Sequence, residues 1–316
     1  MSLLRLGTRG SRLAIAQSQA VADAITAASG RAVELVQITT RGDTSREPLA
    51  KIGGAGVFVS ALRDALLAHE VDLAVHSLKD LPTAPARGLV VAAIPVREDP
   101  RDAVCARDGL TLGELPEGSL VGTGAPRRAA QIEALGMGVK IVDVRGNVDT
   151  RLAKVAGGDL DAVVLARAGL ARLGRLDAIT ETLDPIQVLP APGQGALAVE
   201  CRNDDTELIG LLTTLDDHTT RSAVLAERTL LAALEAGCSA PVGAYAEAAE
   251  GDDGLELYIR AVVMSPDGAM SIRKSATGPL EAAEQLGRDL AIEMLDDGAG
   301  AIVDARERAP KEETVP

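Results

Sequence analysis

The sequence predicts an α/β protein with two similar lobes and a smaller C-terminal α+β domain. Strand-like and helix-like segments alternate through the first two hundred of its 316 residues, which is typical of βαβ units and a mostly parallel sheet. The alternation restarts after the polar stretch 95–100, which we interpret as a hinge, and gives way near Thr219 to a different order of elements. A chain of this length is expected to hold two or three domains.

In the predicted first lobe, short apolar runs alternate with a helical pattern and a glycine-rich loop. Ser11 is typical of a helix N-cap, and apolar residues recur at helical spacing from there to Ile25. The loop at 53–56 leads into a second helix. The strands are expected at 3–6, 33–38, 71–75 and 89–94.

The second lobe repeats this scheme, and the third domain departs from it. Lobe 2 is expected to have helices after Pro126, after Asn147 and near Leu170, with strands at Val104, 119–122, 139–144 and 162–165. A strand at 195–200 follows a proline-rich turn, and in two-lobed folds such a strand often crosses back to the first lobe. Downstream, the pattern predicts a helix over 219–234, strands near Val242, at 255–263 and at 270–276, and a helix over 279–295. The expected bounds are therefore 1–96 with 196–216 for lobe 1, 97–195 for lobe 2, and 217–316 for the C-terminal domain.

Charge and aromatic content exclude several classes of binding protein. The chain has no Trp, two Tyr and one Phe, so it lacks the stacking platforms of single-stranded nucleic-acid binders. Its net charge of −14 also opposes binding to a phosphate backbone. The acidity is concentrated in the last third, because residues 1–200 carry 22 basic and 23 acidic side chains and residues 201–316 carry 10 and 23. The near-neutral lobes therefore keep enough arginine to bind an anion.

The sequence indicates a cytoplasmic monomer that binds no metal and crosses no membrane. An N-terminus with Arg5, Arg9 and Arg12 lacks the apolar run of a signal peptide, and no stretch of about 20 apolar residues predicts a span. The three cysteines have no paired spacing, so we expect reduced thiols and no disulfide framework. Cys105 and Cys201 lie in apolar patterns typical of a core. Three scattered histidines form no cluster of metal ligands.

Arginines recur where predicted strands end and helices begin. They lie in the segments 8–11, 122–128 and 145–147, and Arg151 follows one turn into the helix that Asn147 caps. Helix N-termini and glycine-rich turns attract anions, and arginine pairs with carboxylates through two parallel hydrogen bonds. Since ligands of α/β sheets bind at the carboxyl ends of strands, we expect these turns to converge on a crevice for a multiply anionic ligand. The alternative is a set of unrelated surface arginines.

Two opposite charges, Lys79 and Asp80, follow closely after the apolar strand 71–75. In isolation such neighbours are most often a surface ion pair. In a cleft, the carboxylate would instead stabilise a cationic intermediate or transfer a proton. Asp149, which lies near Arg145 and Arg151 in the sequence, is interpreted as a structural residue turned toward solvent.

Cys238 lies in a loop between a predicted helix and a predicted strand. A buried, inert thiol is the ordinary expectation for a cysteine. The small neighbours Gly237 and Ser239 favour an accessible nucleophile instead. The residues alone leave both interpretations open.

Taken together and in this order, these segments resemble the porphobilinogen deaminase (hydroxymethylbilane synthase) family. The resemblance extends over essentially the whole chain, and in combination its motifs are very specific. It is carried by residues 8–11, 40–43, the glycine loop 51–58, 75–80, 97–102, 127–128, 145–147, 189–195 and 235–241.

The resemblance implies two lobes like those of periplasmic binding proteins around a cleft, and a C-terminal domain that presents a cysteine. It implies a covalent dipyrromethane cofactor in thioether linkage to Cys238. Four porphobilinogen molecules would be joined head to tail with loss of ammonia, and the chain would be hydrolysed off as hydroxymethylbilane. Asp80 matches the family's carboxylate that stabilises the cationic azafulvene left by ammonia, so it is the implied catalytic residue.

The resemblance also implies which residues bind cofactor and substrate. Each pyrrole carries an acetate and a propionate, so a growing chain is a polyanion that needs cations. Phe58, on the glycine loop, is expected to cover the cleft. Two departures from the family pattern, Ala55 and the segment 124–126, remove a possible lysine and two hydroxyls. The matching positions are Arg9, Ser11, Gln17, Lys51, Phe58, Ser77, Lys79, Thr123, Arg127, Arg128, Arg145, Gly146, Arg151, Arg172 and Gln194.

A non-enzymatic solute-binding protein for a polycarboxylate is the alternative function. It would share the two-lobed architecture. It would have no need for Lys79 and Asp80 at a strand end, or for a third domain that carries Cys238, and the expected absence of an export signal also opposes it. The enzyme is therefore the leading hypothesis.

Overall fold

A computed structural model describes residues 3–39, 56–235, 241–251 and 254–308, without the side chains of 56–58 and 304–308. Within these ranges the strands are β1 Leu4–Thr8, β2 Val33–Gln37, β3 Leu73–Ser77, β4 Leu89–Ala93, β5 Asp102–Ala106, β6 Leu120–Gly122, β7 Lys140–Val142, β8 Ala162–Ala166, β9 Glu181–Thr182, β10 Leu197–Arg202, β11 Val242–Gly251, β12 Gly254–Met264 and β13 Ser271–Pro279. The α-helices are α1 Arg12–Ser29, α2 Gly56–Leu67, α3 Pro126–Ala134, α4 Val148–Ala156, α5 Arg167–Arg172, α6 Thr206–Leu212, α7 His218–Ala233, α8 Ala283–Asp296 and α9 Ala299–Arg308.

Lobe 1 is built on a five-stranded sheet with the order β2-β1-β3-β10-β4. The β1 strand pairs in parallel with β2 and β3, whereas β10 runs antiparallel to both β3 and β4. The late strand β10 therefore lies inside the sheet that the first ninety residues begin. All six residues of β10 are buried. Its two charged residues have partners there, Glu200 with Arg63 and Arg202 with the carbonyl oxygens of Leu66 and Val71.

Lobe 2 repeats this topology with the order β7-β6-β8-β5-β9. Here β6 pairs in parallel with β7 and β8, and β5 runs antiparallel to β8 and β9. The predicted α/β class is confirmed, and so is the prediction of mostly parallel sheets, because four of the five strands of each sheet run in the same direction. In each sheet the strand next to the point where the chain changes lobes, β5 or β10, enters in the opposite direction and makes half of the pairings antiparallel.

The C-terminal domain packs helices against one face of a three-stranded antiparallel meander, β11-β12-β13. Leu257 and Ile259 of β12 point into a core with Leu230 of α7 and Leu290 of α8. Alternate residues of β12 face the other way, and there Val262 packs with Leu189 of lobe 2. This small α+β domain therefore contacts lobe 2 through the outer face of its sheet.

Two connections join the lobes, and they touch each other. Glu98 N, in the first connection, donates to Gly195 O of the second at 3.3 Å. Gly195 has a φ of +88°, and a Cβ there would lie 2.3 Å from Glu98 O, so only glycine permits this close approach. Segment 95–100, interpreted as a hinge, is thus packed directly against the returning chain.

Several element bounds differ from those predicted. The third strand extends to Ser77, because the buried His76 pairs with Ala198 and continues the ladder. Pro279 ends β13 rather than starting a helix, and α8 begins only after a 3₁₀ turn at Leu280–Ala282. The short elements β9, α6 and α9 lacked a sequence prediction. The core positions predicted for Cys105 and Cys201 are confirmed, and burial raises the pKa of each thiol to about 11.

Candidate active site

The carboxyl end of β3 is followed by two charged residues, Lys79 and Asp80. After Ser77 the chain turns through a single 3₁₀ turn, Leu78–Asp80. Lys79 Nζ donates to Gln194 Oε1 of the second interlobe connection at 3.2 Å. Asp80 acts on Lys79 through its charge alone, because in the described part of the chain the two side chains form no hydrogen bond or ion pair. The Asp80 carboxylate is exposed, with no hydrogen bond or ion pair to any described residue. The sequence-based alternative of a surface ion pair between these neighbours is therefore not what the structure shows.

Across from this turn, lobe 2 holds two buried arginines on one buried carboxylate. Pro126 occupies the first position of α3, where its fixed φ suits a helix start, and this places Arg127 and Arg128 in the first turn. Arg128 donates to Asp102 Oδ1 through Nε at 3.0 Å and Nη2 at 2.8 Å. Arg127 Nη2 lies 2.8 Å from Asp102 Oδ2. Asp102 is fully buried and both arginines are 5% exposed.

Gln194 links the two sides of this arrangement. Its Nε2 donates to Asp102 Oδ1 at 2.8 Å, and its Oε1 accepts from Lys79 and, at 3.4 Å, from Arg128 Nη2. Because Gln194 is 1% exposed and its amide is fully used, it fixes the separation between the lysine of lobe 1 and the arginines of lobe 2. We call Lys79, Asp102, Arg127, Arg128 and Gln194 the cation cluster.

The cation cluster carries more positive than negative charge. The pKa of Lys79 is lowered to about 8, chiefly by burial and also by the charges of Arg128 and Arg127. The carboxylates of Asp80 and Asp102 act in the opposite direction. Burial alone would raise the pKa of Asp102, but the two arginines hold it well below its usual range. Three cations thus surround one buried carboxylate. Such an excess of charge in a low-dielectric setting attracts anions.

Four further polar residues were predicted for the site. Gln17 Nε2 of α1 donates to Ser77 Oγ at 3.0 Å, so these two predicted residues do meet. Ser11 accepts from Ala14 N at 3.2 Å and caps α1, as its position predicted. Thr123 is buried, and its Oγ1 accepts from Ala125 N at 3.2 Å.

The remaining arginines of lobe 2 differ in how closely they approach the cluster. Burial lowers the pKa of Arg151, and the nearby Arg128 adds to this effect, so Arg151 extends the positive charge. Arg172 Nη2 donates to Gly195 O at 2.6 Å. Arg145 is exposed and bonds to Asp143 Oδ2 at 3.3 Å, so the structure does not bring it into the cluster. Gly146, with a φ of +111°, provides the turn between Arg145 and α4.

The remaining predicted site residues are Arg9, Phe58, Lys51 and Cys238. Arg9 follows β1 and is partly buried. Only the backbone of Phe58, in the first turn of α2, is described. Lys51 and Cys238, like the departure at Ala55, lie outside the described residues. The second departure from the family pattern is the segment 124–126. Its Gly124 is required by packing, because a Cβ there would lie 2.7 Å from Val144 O.

Sequence reasoning missed two carboxylates that organise the site. Asp102 was assigned no role, although an acid at the start of the apolar run 103–105 is a recognisable sign of a paired, buried charge. Asp149 was expected to turn toward solvent, and this is wrong. Its carboxylate accepts from Arg12 of lobe 1 at 2.6 Å and from Arg175 at 3.0 Å. Nothing in the local sequence marks these long-range partners.

The donors of the site fit an anionic pyrrole cofactor. The cation cluster, extended by Arg151, offers guanidinium and ammonium groups that match the acetate and propionate of each ring. Burial, and to a lesser degree the neighbouring arginine charge, lowers the pKa of Lys79 and of Arg151, so a bound anion would favour their charged forms. The fold and these side chains define a two-lobed protein that binds a small polycarboxylate between its lobes.

Comparisons with known proteins identify the family. A profile of the porphobilinogen deaminase dipyromethane cofactor binding domain matches residues 4–210, and one of the porphobilinogen deaminase C-terminal domain matches residues 221–296. The chain belongs to the porphobilinogen deaminase family. It is a transferase of tetrapyrrole and haem biosynthesis that joins four porphobilinogen molecules into hydroxymethylbilane on a dipyrromethane cofactor.

Similar curated proteins cover nearly the whole chain. Porphobilinogen deaminase 1 of Streptomyces coelicolor is 61% identical over 312 residues, covering 96% of this chain and 98% of its own length. Porphobilinogen deaminase of Mycobacterium tuberculosis is 60% identical over 302 residues, covering 94% and 97%. The solute-binding alternative is therefore not retained.

Similar solved structures are more distant. The periplasmic VFT2 domain of Bordetella pertussis BvgS has a TM-score of 0.40 at 20% identity, covering 67% of this chain and 86% of its own. Substrate binding domain 2 of Lactococcus lactis GlnP has a TM-score of 0.43 at 12% identity, covering 68% and 88%. These values are too low to define the fold, which rests on the sheet topology above.

The helices and the possible metal ligands of the described residues bear on two further classes of protein. Every helix there falls short of the length and apolarity that crossing a membrane requires. No three His, Cys, Asp or Glu side chains of this part are grouped as ligands for a metal ion.

Proposed function

We propose that chain elongation takes place beside the cation cluster, with Asp80 as the catalytic carboxylate. The observation that carries this proposal is the grouping of three cations, the buried Arg127 and Arg128 and the half-buried Lys79, near one exposed carboxylate at a strand end. The cations attract the carboxylates of cofactor and substrate, while Asp80 stays available to a developing positive charge. When bound, the dipyrromethane cofactor supplies the pyrrole carbon to which the first substrate is joined.

Asp80 serves the two charge changes of each addition. The bond between the aminomethyl carbon and nitrogen of porphobilinogen breaks, and ammonia leaves. A carbon–carbon bond forms to the free α position of the preceding ring, and that position releases a proton. Asp80 stabilises the positive charge on the substrate that has lost ammonia and assists the transfer of the proton.

The cations divide the task of holding the carboxylates. Lys79, Arg127 and Arg128 bind nearest to Asp80, and Arg151 and Arg172 extend the binding surface in lobe 2. Arg9, Ser11, Gln17 and Ser77 belong to the facing edge of lobe 1, with Thr123, Arg145, Gly146 and Gln194 on the other side. Lys51 and Phe58 are proposed by resemblance alone.

We propose that Cys238 attaches the cofactor and that the domain bounds are 1–96 with 196–216, 97–195 and 217–316. The placement of β10 in the first sheet and of β11 to β13 in a separate sheet supports these bounds. We also propose a cytoplasmic monomer. The buried thiols of Cys105 and Cys201, free within the described residues, favour a reducing compartment.

The test uses intact mass and turnover together. We expect Asp80→Asn to keep the cofactor adduct and to lose about 10²-fold or more in turnover, in the range of a removed general acid–base group. Asp177→Asn is the matched control, because Asp177 is exposed in a comparable 3₁₀ turn, Leu176–Ala178, of lobe 2. Near-normal turnover of Asp80→Asn would remove Asp80 from the mechanism.

Peptide mapping tests the attachment site separately. Cys238→Ser is expected to yield protein without the normal thioether adduct. An adduct mapped to Cys105 or Cys201 in the unmodified sequence would contradict the assignment.

A further inference from the structure

The N-terminus of α1 in lobe 1 meets lobe 2 at one place outside the cation cluster. A Cβ on Gly169 of α5 would lie 3.7 Å from Leu13 Cδ2, so the two helices approach each other closely there. Beside this contact, Arg12 Nη1 lies 2.6 Å from Asp149 Oδ2 and Arg175 Nη1 lies 3.0 Å from Asp149 Oδ1. One carboxylate thus joins an arginine from each lobe.

Helix electrostatics make this arrangement unusual. Arg12 is the first residue of α1, where the helix dipole opposes a cation, and α1 has no acidic residue in its first turn. Asp149 lies in the first turn of α4, where the dipole favours an anion. A cation held at a helix N-terminus needs an anion beside it, and in the structure the Asp149 carboxylate supplies that charge.

The bridge is accessible and adjoins the proposed binding residues. The side chains of Arg12, Arg175 and Asp149 are 70%, 39% and 31% exposed. Arg12 directly follows Ser11, and Asp149 precedes Arg151 by two residues. Exposed arginine–carboxylate pairs are weak and are screened by salt. Another carboxylate of similar geometry can therefore take the place of Asp149 at little cost.

We propose that Arg12 and Arg175 are additional binding residues for the growing chain. The Asp149 carboxylate binds both arginines until the carboxylates of later rings replace it. The proposal rests on the proposed function, in which elongation adds rings beside Lys79, Arg127 and Arg128. Those three cations are already bonded to Asp102 and Gln194. Each added ring brings two more carboxylates, and Arg12 and Arg175, which now bind Asp149, are further cations at the contact between the lobes.

The exchange also changes how the lobes are joined. While Asp149 binds Arg12, α1 is tied to α4. When a carboxylate of the growing pyrrole chain binds Arg12 instead, the two lobes are linked through that pyrrole chain. This link is lost when the product is released. The bridge thus couples the length of the chain to the separation of the lobes.

Mass spectrometry of the holoenzyme under native conditions, with limiting porphobilinogen, follows each addition as a separate adduct. We expect Arg12→Gln and Arg175→Gln to slow the third and fourth additions about 3- to 10-fold and to leave the first unchanged. Asp149→Asn should not slow the later additions. Equal slowing of all four additions, or no slowing of the later ones, would overturn the proposal.

A binding measurement checks the exchange without turnover. Titration calorimetry at low ionic strength with citrate as the probe should show about 3- to 10-fold tighter binding to Asp149→Asn than to the parent protein. Arg12→Gln in the same background should abolish the gain. Glu284→Gln is the matched control, because Glu284 accepts from an exposed arginine, Arg288, at the same 2.6 Å but within one helix.

Failure of the proposed function and failure of the carboxylate exchange give different results. If the parent protein forms no series of pyrrole adducts, the proposed function fails, whatever the variants do. If it forms the series and citrate binding is the same with and without the Asp149 carboxylate, the exchange is refuted while the function stands.

Discussion

Glu227 accepts hydrogen bonds from both terminal nitrogens of Arg97, at 2.7 Å from Nη1 and 3.1 Å from Nη2. Arg97 lies in the first interlobe connection, and Glu227 is a fully buried residue of α7 in the C-terminal domain. The same carboxylate accepts from Gly193 N at 2.6 Å and from Ala246 N at 2.8 Å. One side chain therefore joins both interlobe connections to the third domain.

We predict that Glu227→Gln lowers the free energy of unfolding by about 3 kcal/mol or more, because removing one partner of a buried pair leaves the other charge uncompensated. Urea unfolding would measure the loss. Hydrogen exchange should also show faster exchange at Gly193 and Ala246. Glu207→Gln, which removes an exposed partner of Arg31, should change stability by less than about 1 kcal/mol; an equal effect of both variants would contradict the prediction.

Asp102→Asn is expected to be destabilising by about 3–5 kcal/mol, since it leaves Arg127 and Arg128 buried without their carboxylate. The interaction of Asp102 with the two arginines also makes the stability of the parent protein depend on pH. The folded pKa of Asp102 is depressed, so its stabilising contribution is present above the unfolded value of about 4 and is lost as the pH falls below it. Urea midpoints between pH 6 and 3 should therefore fall less steeply in the variant than in the parent. If the urea midpoints of variant and parent fell equally steeply with pH, Asp102 would not contribute to the pH dependence of stability.

Lys79 should make substrate binding depend on pH above neutrality. With a pKa of about 8, it loses its charge as the pH rises through 8, so at pH 9 only about a tenth of the molecules retain that cation. We predict that KM for porphobilinogen rises several-fold between pH 7.5 and 9. Lys79→Arg keeps its charge in this range, so its KM should stay flat over the same interval, whatever its absolute value. A rise of equal size in both proteins would assign the effect to another group.

Local patterns were sufficient where chemistry and secondary structure lie in one short segment. The end of β3 with Lys79 and Asp80, and the start of α3 with Arg127 and Arg128, could be located from an apolar run followed by charges. The N-caps Ser11 and Asn147 were recognisable for the same reason, because capping joins residues three apart.

Partners distant in the sequence could not be predicted in this way. Asp102 and Arg128 are separated by 26 residues, and Arg12 and Asp149 by 137. Which charge meets which depends on how β5 and β10 reverse direction, and no local property of either strand encodes that reversal.

The position of β10 between β3 and β4 also bears on synthesis of the chain. The sheet of lobe 2 is complete once Thr182 has left the ribosome, because all its strands come from the continuous stretch 102–182. The sheet of lobe 1 must wait for Leu197–Arg202 to enter between β3 and β4. The lobe that begins the chain is therefore the later of the two to close, and until then the edges of β3 and β4 stay open to wrong partners in the cell.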